Sequence, residues 1–238
     1  MSNIQSKDIN MIAIKEFNHL QADTKGKYIK YINSIFAKAY SIDLIDTPIK
    51  STLRISDRAN VIDNPFSLED LKTLLRTPMD KTLYEYLYIS IHTGCRIGEV
   101  LALTPEDFRD QGVYITKAKN QYGTIGTPKT KSSIRFIPMQ SQVFQTITKD
   151  FRIDFSKESS GSIRRRFYTI QRRAHIEPLR RPHDIRHTFA TLLIRNGAPI
   201  SDVSRLMGHS KISQTLNVYT HSDNNSIRES VGLLKGLQ

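Results

Sequence analysis

The side chains of this 238-residue chain best suited to chemistry are arginines, histidines, lysines and one tyrosine, gathered in a few short stretches. In Arg180-Arg181-Pro182-His183-Asp184-Ile185-Arg186-His187 the proline sits where the first turn of a helix tolerates it. His183 and Arg186, three apart, then share one face at the helix start. A helix N-terminus offers unpaired N–H groups and the positive end of a dipole to an anion. An arginine adds two parallel donors matched to phosphate oxygens. The pair reads as a phosphate clamp. An Arg–Asp surface network with a core-facing histidine is the bland alternative, and on this stretch alone the two weigh equally.

A second arginine stands in His92-Thr93-Gly94-Cys95-Arg96-Ile97-Gly98-Glu99-Val100, after a glycine suited to ending one helix and before the start of another. Glu99, three residues on, is spaced to buttress the Arg96 guanidinium, although a surface ion pair of little value has the same spacing. A third stretch, Leu206-Met207-Gly208-His209-Ser210, leads to Tyr219 in Asn217-Val218-Tyr219-Thr220-His221. A tyrosine with its pKa of about 10 needs cations, hydrogen-bond donors and a proton path to act as a nucleophile. His183 and His209 are suited to supply donors at neutral pH. A half-buried aromatic is the common alternative for any tyrosine. Lys117, Lys119, Lys129 and Lys131 cluster around a Lys- and Gly-rich turn, either as a solvated charged loop or as a source of a proton for a leaving oxygen.

These residues need a mostly helical frame. Ile9, Ile12, Ile14 and Phe17, then Tyr28, Ile32, Ile35 and Phe36, give apolar stripes that predict a helical segment over residues 1–55. The polar stretch RISDRANVIDNP ends in Asn-Pro and reads as a linker, with 56–65 as its span. Residues 66–238 form the larger domain. Ser67 and Asp70 predict a capped helix to Leu75, a second helix runs from Lys81 to His92, and a third from Ile97 to Leu103. Val113–Thr116 and Ser133–Ile137 are short strands flanking the lysine-rich turn. Helices follow near 140–150, 161–174, 183–195, 199–207 and 212–219, with Gly197 and Gly208 as stops. The fold class is mostly α with a small antiparallel β-sheet.

Charge names the partner. Lys plus Arg number 35 against 23 Asp plus Glu, a net charge of +12, which favours a polyanion and most commonly nucleic acid. The single cysteine excludes an intramolecular disulfide and a multi-cysteine metal site. The N-terminus lacks the apolar core of a secretory signal and no apolar run spans a bilayer, so a cytoplasmic protein without a membrane partner is expected.

Taken in order, TGCRIGE, a hairpin lysine, HDIRH, LMGHS and NVYTHS resemble the tyrosine recombinase, or phage integrase, family over about residues 65–222. The strings PKTKSSIRFIPM and GHSKISQTLNVYTH are most similar to integrases of conjugative transposons and temperate phages. The resemblance implies a small helical N-terminal domain that clamps DNA, followed by a tyrosine-recombinase catalytic domain. It implies Tyr219 as the nucleophile that forms a 3′-phosphotyrosyl link, and Arg96 and Arg186 as holders of the scissile phosphate. His183 assists proton transfer, His209 donates to the phosphate, and Lys129 is the general acid, with Lys131 the alternative. Glu99 orients Arg96, and His187 packs behind the site. The partners implied are double-stranded DNA and a homotetramer on two DNA sites, with a monomer compatible in free solution. No metal or cofactor is expected, because the site lacks a carboxylate cluster suited to Mg²⁺ and the chain has no GxxxxGK[ST] loop. The N-terminal domain is shorter than the family's usual one, which leaves its full clamp affinity open. Three other readings stand: a helix-turn-helix regulator built on residues 200–219, a degenerate integrase, and a relaxing topoisomerase of the type IB kind.

Overall fold

The structure, a computed structural model, describes residues 4–20, 22–53, 65–128 and 130–208, with the side chains of Asp23 and Lys131 outside that description. The chain divides into two compact units, residues 1–62 and 63–238.

The first unit holds α1 (Ser6–Phe17) and α2 (Ala22–Ser41). Ile9, Ala13, Ile29 and Ile49 are its buried apolar residues. The chain after α2 is fastened by polar side chains. Asn33 Oδ1 accepts from the Ser51 amide at 2.8 Å, and Asn10 Oδ1 accepts from the Ser51 hydroxyl at 2.8 Å and the Thr52 amide at 3.1 Å. The expected stripe on α1 is shifted. Ile9 and Ala13 face inward while Ile12 and Ile14 are exposed, since the buried face is the one that meets α2 and residues 49–52.

In the second unit Ser67 and Asp70 cap α3 (Leu68–Arg76) reciprocally: Ser67 Oγ accepts the Asp70 amide and Asp70 Oδ2 accepts the Ser67 amide. Asp80 caps α4 (Lys81–Thr93), which ends at Gly94 in the left-handed conformation. Next, α5 (Ile97–Val100) is shorter than the predicted helix to Leu103. Leu101, Ala102 and Leu103 are all buried, and tight amide bonds from Ala102 to Glu99 and from Leu103 to Val100 turn the chain inward. A three-stranded antiparallel sheet follows in the order β1 (Phe108–Arg109), β2 (Gly112–Ile115), β5 (Arg135–Pro138). Its register pairs Val113 with Ile137 and Ile115 with Arg135. Between β2 and β5 lies a second pair, β3 (Ala118–Lys119) with β4 (Ile125–Gly126).

Four helices complete the unit: α6 (Ser141–Asp150), α7 (Ser160–Arg173), α8 (Pro182–Arg195) and α9 (Ile200–Met207). The core gathers around α4, with Leu83, Tyr86, Leu87 and Ile89 in one cluster with Val113, Ile115, Ile163, Phe167 and Ile185. Fully burying such a side chain contributes roughly 1.5–3 kcal/mol. Glu85 on this buried helix accepts the amides of Arg152 and Ile153, which fastens the chain after α6. Gln171 exchanges two 2.8 Å bonds with the Arg180 backbone and so fixes the approach to α8. Mostly α with a small antiparallel sheet is the observed class.

Candidate active site

The end of α9 organises the site. A helix leaves its last carbonyls without partners inside the helix. Here three consecutive carbonyls each accept from an arginine of a different element. Leu206 accepts from Arg135 Nε of β5, Met207 from Arg186 Nη2 of α8, and Gly208 from Arg96 Nη2 at 3.5 Å. The negative end of the helix dipole suits them all. Arg96 and Arg186, far apart in sequence, are therefore brought to neighbouring carbonyls one and two residues before position 209.

Arg186 is buried and also donates through Nη1 to the Gly94 carbonyl at 3.0 Å. Burial lowers its guanidinium to about 9, with the charge of Arg96 adding to the effect, so it remains charged at neutral pH. Arg96 is half-buried, its side chain 37 % exposed, which leaves an open edge beside the paired one. Its Nη1 donates to Glu99 Oε1 at 2.8 Å, and its amide donates to Glu99 Oε2 at 2.9 Å. Glu99 thus holds both the backbone and the guanidinium of Arg96, as its spacing foretold.

Glu99 has a second partner. The Arg135 guanidinium spans its carboxylate, Nη2 to Oε2 at 2.9 Å and Nη1 to Oε1 at 3.2 Å. Burial alone would raise the carboxyl, but hydrogen bonding and charge from Arg135, then Arg96, outweigh it and bring it down to about 2. Arg135 is the residue that sequence reasoning missed. The signal lay in the strand's alternation: Arg135 shares a face with the buried Ile137 and stands opposite the buried Ile115.

His183 lies in the first turn of α8, where Asp184 accepts the Arg181 amide at 2.7 Å. Its ring stands edge-on to His187, centroids 4.6 Å apart. Burial, then the charges of His187 and Arg186, hold the His183 imidazole below the ordinary histidine range. The residue keeps an exposed edge, so water tempers the effect, and the direction is downward. At neutral pH it is uncharged and able to accept a proton.

Two of the four clustered lysines are tied into the fold. Lys117 pairs with Asp107 at 2.9 Å. Lys119 Nζ donates to the carbonyls of Phe155, Ser156 and Glu158 at 3.1, 2.7 and 2.9 Å. Lys129, His209 and Tyr219 lie outside the described residues, as do the side chain of Lys131 and the second helix that a helix-turn-helix would need. The structure thus brings together Arg96, Glu99 and Arg186, with His183 and His187 on the same helix as Arg186 and with Arg135 against Glu99.

Residues 65–226 match the phage integrase family. A tyrosine recombinase XerC-like protein of Caldanaerobacter subterraneus subsp. tengcongensis is 30% identical over 196 residues, covering 66% of this chain and 50% of that protein. The transposase of transposon Tn916 from Enterococcus faecalis is 29% identical over 192 residues, covering 65% of this chain and 46% of that one. The chain spans about half the length of these relatives. In fold it is similar to the Tn1549 transposon integrase in complex with transposon right end DNA, with a TM-score of 0.79 at 23% identity over 98% of this chain and 86% of that one.

Proposed function

The chain belongs to the phage integrase family, and on that premise we propose that it is a site-specific DNA recombinase that cuts and rejoins duplex DNA through Tyr219. The observation that carries the reading is the convergence of Arg96 and Arg186 on the adjoining carbonyls of Met207 and Gly208, immediately before His209. Two fixed guanidiniums at one point suit the non-bridging oxygens of a phosphodiester, whose charge grows in the transition state.

The reaction runs as two balanced displacements. The Tyr219 oxygen attacks phosphorus as its proton passes toward His183, a 3′-phosphotyrosyl bond forms, and the bond to the 5′ oxygen breaks. A lysine of the hairpin supplies the proton to that leaving oxygen. Lys129 is assigned this role, with Lys131 as the alternative; Lys117 and Lys119 are already committed to Asp107 and to three carbonyls. His209 donates to the phosphate. A 5′ hydroxyl of the partner strand then gives its proton to the same hairpin lysine and attacks the phosphotyrosine, the bond to the Tyr219 oxygen breaks, and Tyr219 takes its proton back from His183. The phosphotyrosine conserves the phosphodiester energy, so ATP is not required, and the charge stabilisation assigned here to arginines needs no metal. The likeness to transposon proteins supports movement of a mobile element as its task, and four subunits working on two duplexes belong to the same proposal.

The test is to trap the covalent intermediate. A pool of nicked duplexes with a randomised core is incubated with the protein in EDTA, and adducts are separated on a denaturing gel. Wild type is expected to give an adduct whose DNA converges on one sequence, and Tyr219→Phe none. Arg186→Ala should lower single-turnover cleavage on the order of 10²-fold or more, as for loss of an oxyanion donor. Near-normal cleavage by either variant rejects this site.

A further inference from the structure

We infer that Arg135 is a positioning residue for the phosphate clamp: its guanidinium fixes Glu99 and the end of α9 together, and through them the orientation of Arg96. The inference rests on the recombinase reading above.

Arg135 is almost wholly enclosed, its side chain 6% exposed against 3% for Glu99. An enclosed guanidinium needs a partner for most of its five donors. It finds them in three directions. The two terminal nitrogens span the Glu99 carboxylate, Nε donates to the Leu206 carbonyl, and Nη1 also donates to the Ser133 carbonyl at 2.9 Å. One side chain therefore joins α5, the end of α9 and the turn that precedes its own strand. A further contact, Nη2 to Cys95 Sγ at 3.7 Å, lies directly behind Arg96 in the chain.

The Arg96 amide fixes only one oxygen of Glu99, and about that contact the carboxylate can still swing. A carboxylate pivots about its terminal torsion, which is broad for glutamate. With both oxygens engaged by Arg135 the plane of the carboxylate is set, and Oε1 is then presented to Arg96 Nη1 at 2.8 Å. The other end of the clamp is set by the same group. Arg135 holds the Leu206 carbonyl, and the next two carbonyls meet Arg186 and Arg96. The seam is tight: a methyl group built on Gly208 would lie 2.9 Å from the Ser132 carbonyl and 3.2 Å from Arg135 Nη1. A lysine at 135 supplies one point charge and cannot span the carboxylate while holding the carbonyl.

A fixed Arg96 matters only where there is phosphate charge to hold, so the substrate separates positioning from general damage. The experiment compares full-length wild type, Arg135→Gln and Arg135→Lys on nicked duplexes of the sequence recovered from the pool. One duplex carries an ordinary scissile phosphate, one a methylphosphonate that lacks the non-bridging charge, and one a 5′-bridging phosphorothiolate whose leaving group needs no acid. Duplex affinity and thermal unfolding are measured alongside. Both variants are expected to lose roughly 10- to 100-fold in single-turnover cleavage of the ordinary duplex, the scale of a misplaced catalytic group, with affinity little changed. The deficit should shrink on the methylphosphonate and persist on the phosphorothiolate. An equal deficit on all three duplexes overturns the inference and assigns Arg135 to stability alone. A deficit relieved only by the phosphorothiolate overturns it in favour of the hairpin lysine. If Arg135→Gln fails to fold, Arg135→Lys keeps the charge and carries the comparison, and wild-type rates from it reject the role. Wild type that forms no adduct overturns the recombinase reading itself.

Discussion

At the scale of single residues, the site is governed by one carboxylate. Glu99 is the only acidic group that the described contacts place against Arg96 and Arg135, and those two arginines bring it from an ordinary 4.5 to about 2. A carboxyl with its native pKa below its unfolded one adds stability at pH above the unfolded value, and that stability disappears as pH falls through the native value. The shift corresponds to about 3 kcal/mol at neutral pH, lost between roughly pH 4.5 and 2. Glu99→Gln should therefore lower the neutral-pH stability by about that amount, since the buried Arg135 and the half-buried Arg96 lose their counter-charge. It should also flatten the stability profile over that acid window, as read by urea unfolding across pH. His183 acts higher on the scale. Its native pKa lies below 6.5, so the unfolded chain takes up the proton first, and stability falls as pH drops below 6.5. His183→Asn should shrink this upper limb, to which the half-buried His92 also contributes, and leave the lower one. A single acid transition unaffected by either change would contradict both assignments.

At the scale of elements, the arginines are only as well placed as the ends of α4 and α9. Gly94 ends α4 with φ 61°, and a methyl group there would stand 2.4 Å from Phe189 Cδ1. Its carbonyl accepts from Arg186. Gly197, with φ 84°, has nothing within 4 Å of the same added atom. Gly197→Ala should thus cost only the left-handed backbone, about 1–2 kcal/mol. Gly94→Ala should cost that plus overpacking, about 2–5 kcal/mol in total by urea unfolding, and should slow cleavage as well. Equal costs at the two glycines would show that the Phe189 contact relaxes freely. Both helix stops were legible in the sequence, since a glycine after an apolar run has few other uses there. So were the reciprocal cap of Ser67 with Asp70 and the spacing of Arg96 with Glu99, which depend on neighbours three apart. What could not be read depends on distant chain. Strand alternation puts Arg135 on the inward face, but its partners are not in the strand: only α5 and α9 closing over it supply Glu99 and the Leu206 carbonyl. Lys119 looked like its neighbours until residues 155–158 supplied three carbonyls. The inward face of α1 was chosen by α2 and residues 49–52 rather than by the count of isoleucines.

At the scale of the whole molecule, charge is what would carry the proposed contact with DNA. Residues 1–62 carry nine Lys plus Arg against six Asp plus Glu, and residues 63–238 carry 26 against 17, so most of the net +12 belongs to the second unit. Part of that charge is internal: Arg135 and Arg186 are enclosed and serve the site rather than the surface. The outer face of α7 is different. Ile163, Phe167 and Ile170 anchor the helix in the core, while Arg164, Arg165, Arg172 and Arg173 remain exposed. Arg165 and Arg172, seven residues apart, lie two turns apart on one line. Exposed arginines bind phosphate chiefly by releasing condensed counterions, so their contribution appears in the salt dependence of affinity. For the full chain on a duplex of unrelated sequence, log K against log salt should fall steeply, since each phosphate contact adds about 0.9 to the slope. Arg165→Gln with Arg172→Gln should reduce the slope by about 2 and weaken binding alike on every sequence, as measured by fluorescence anisotropy across a salt series. Recombination at the preferred sequence should then fail only at elevated salt, where the lost contacts are no longer replaced by raising protein concentration. An unchanged slope would mean that this face meets only solvent, and that the phosphates are held elsewhere on the unit.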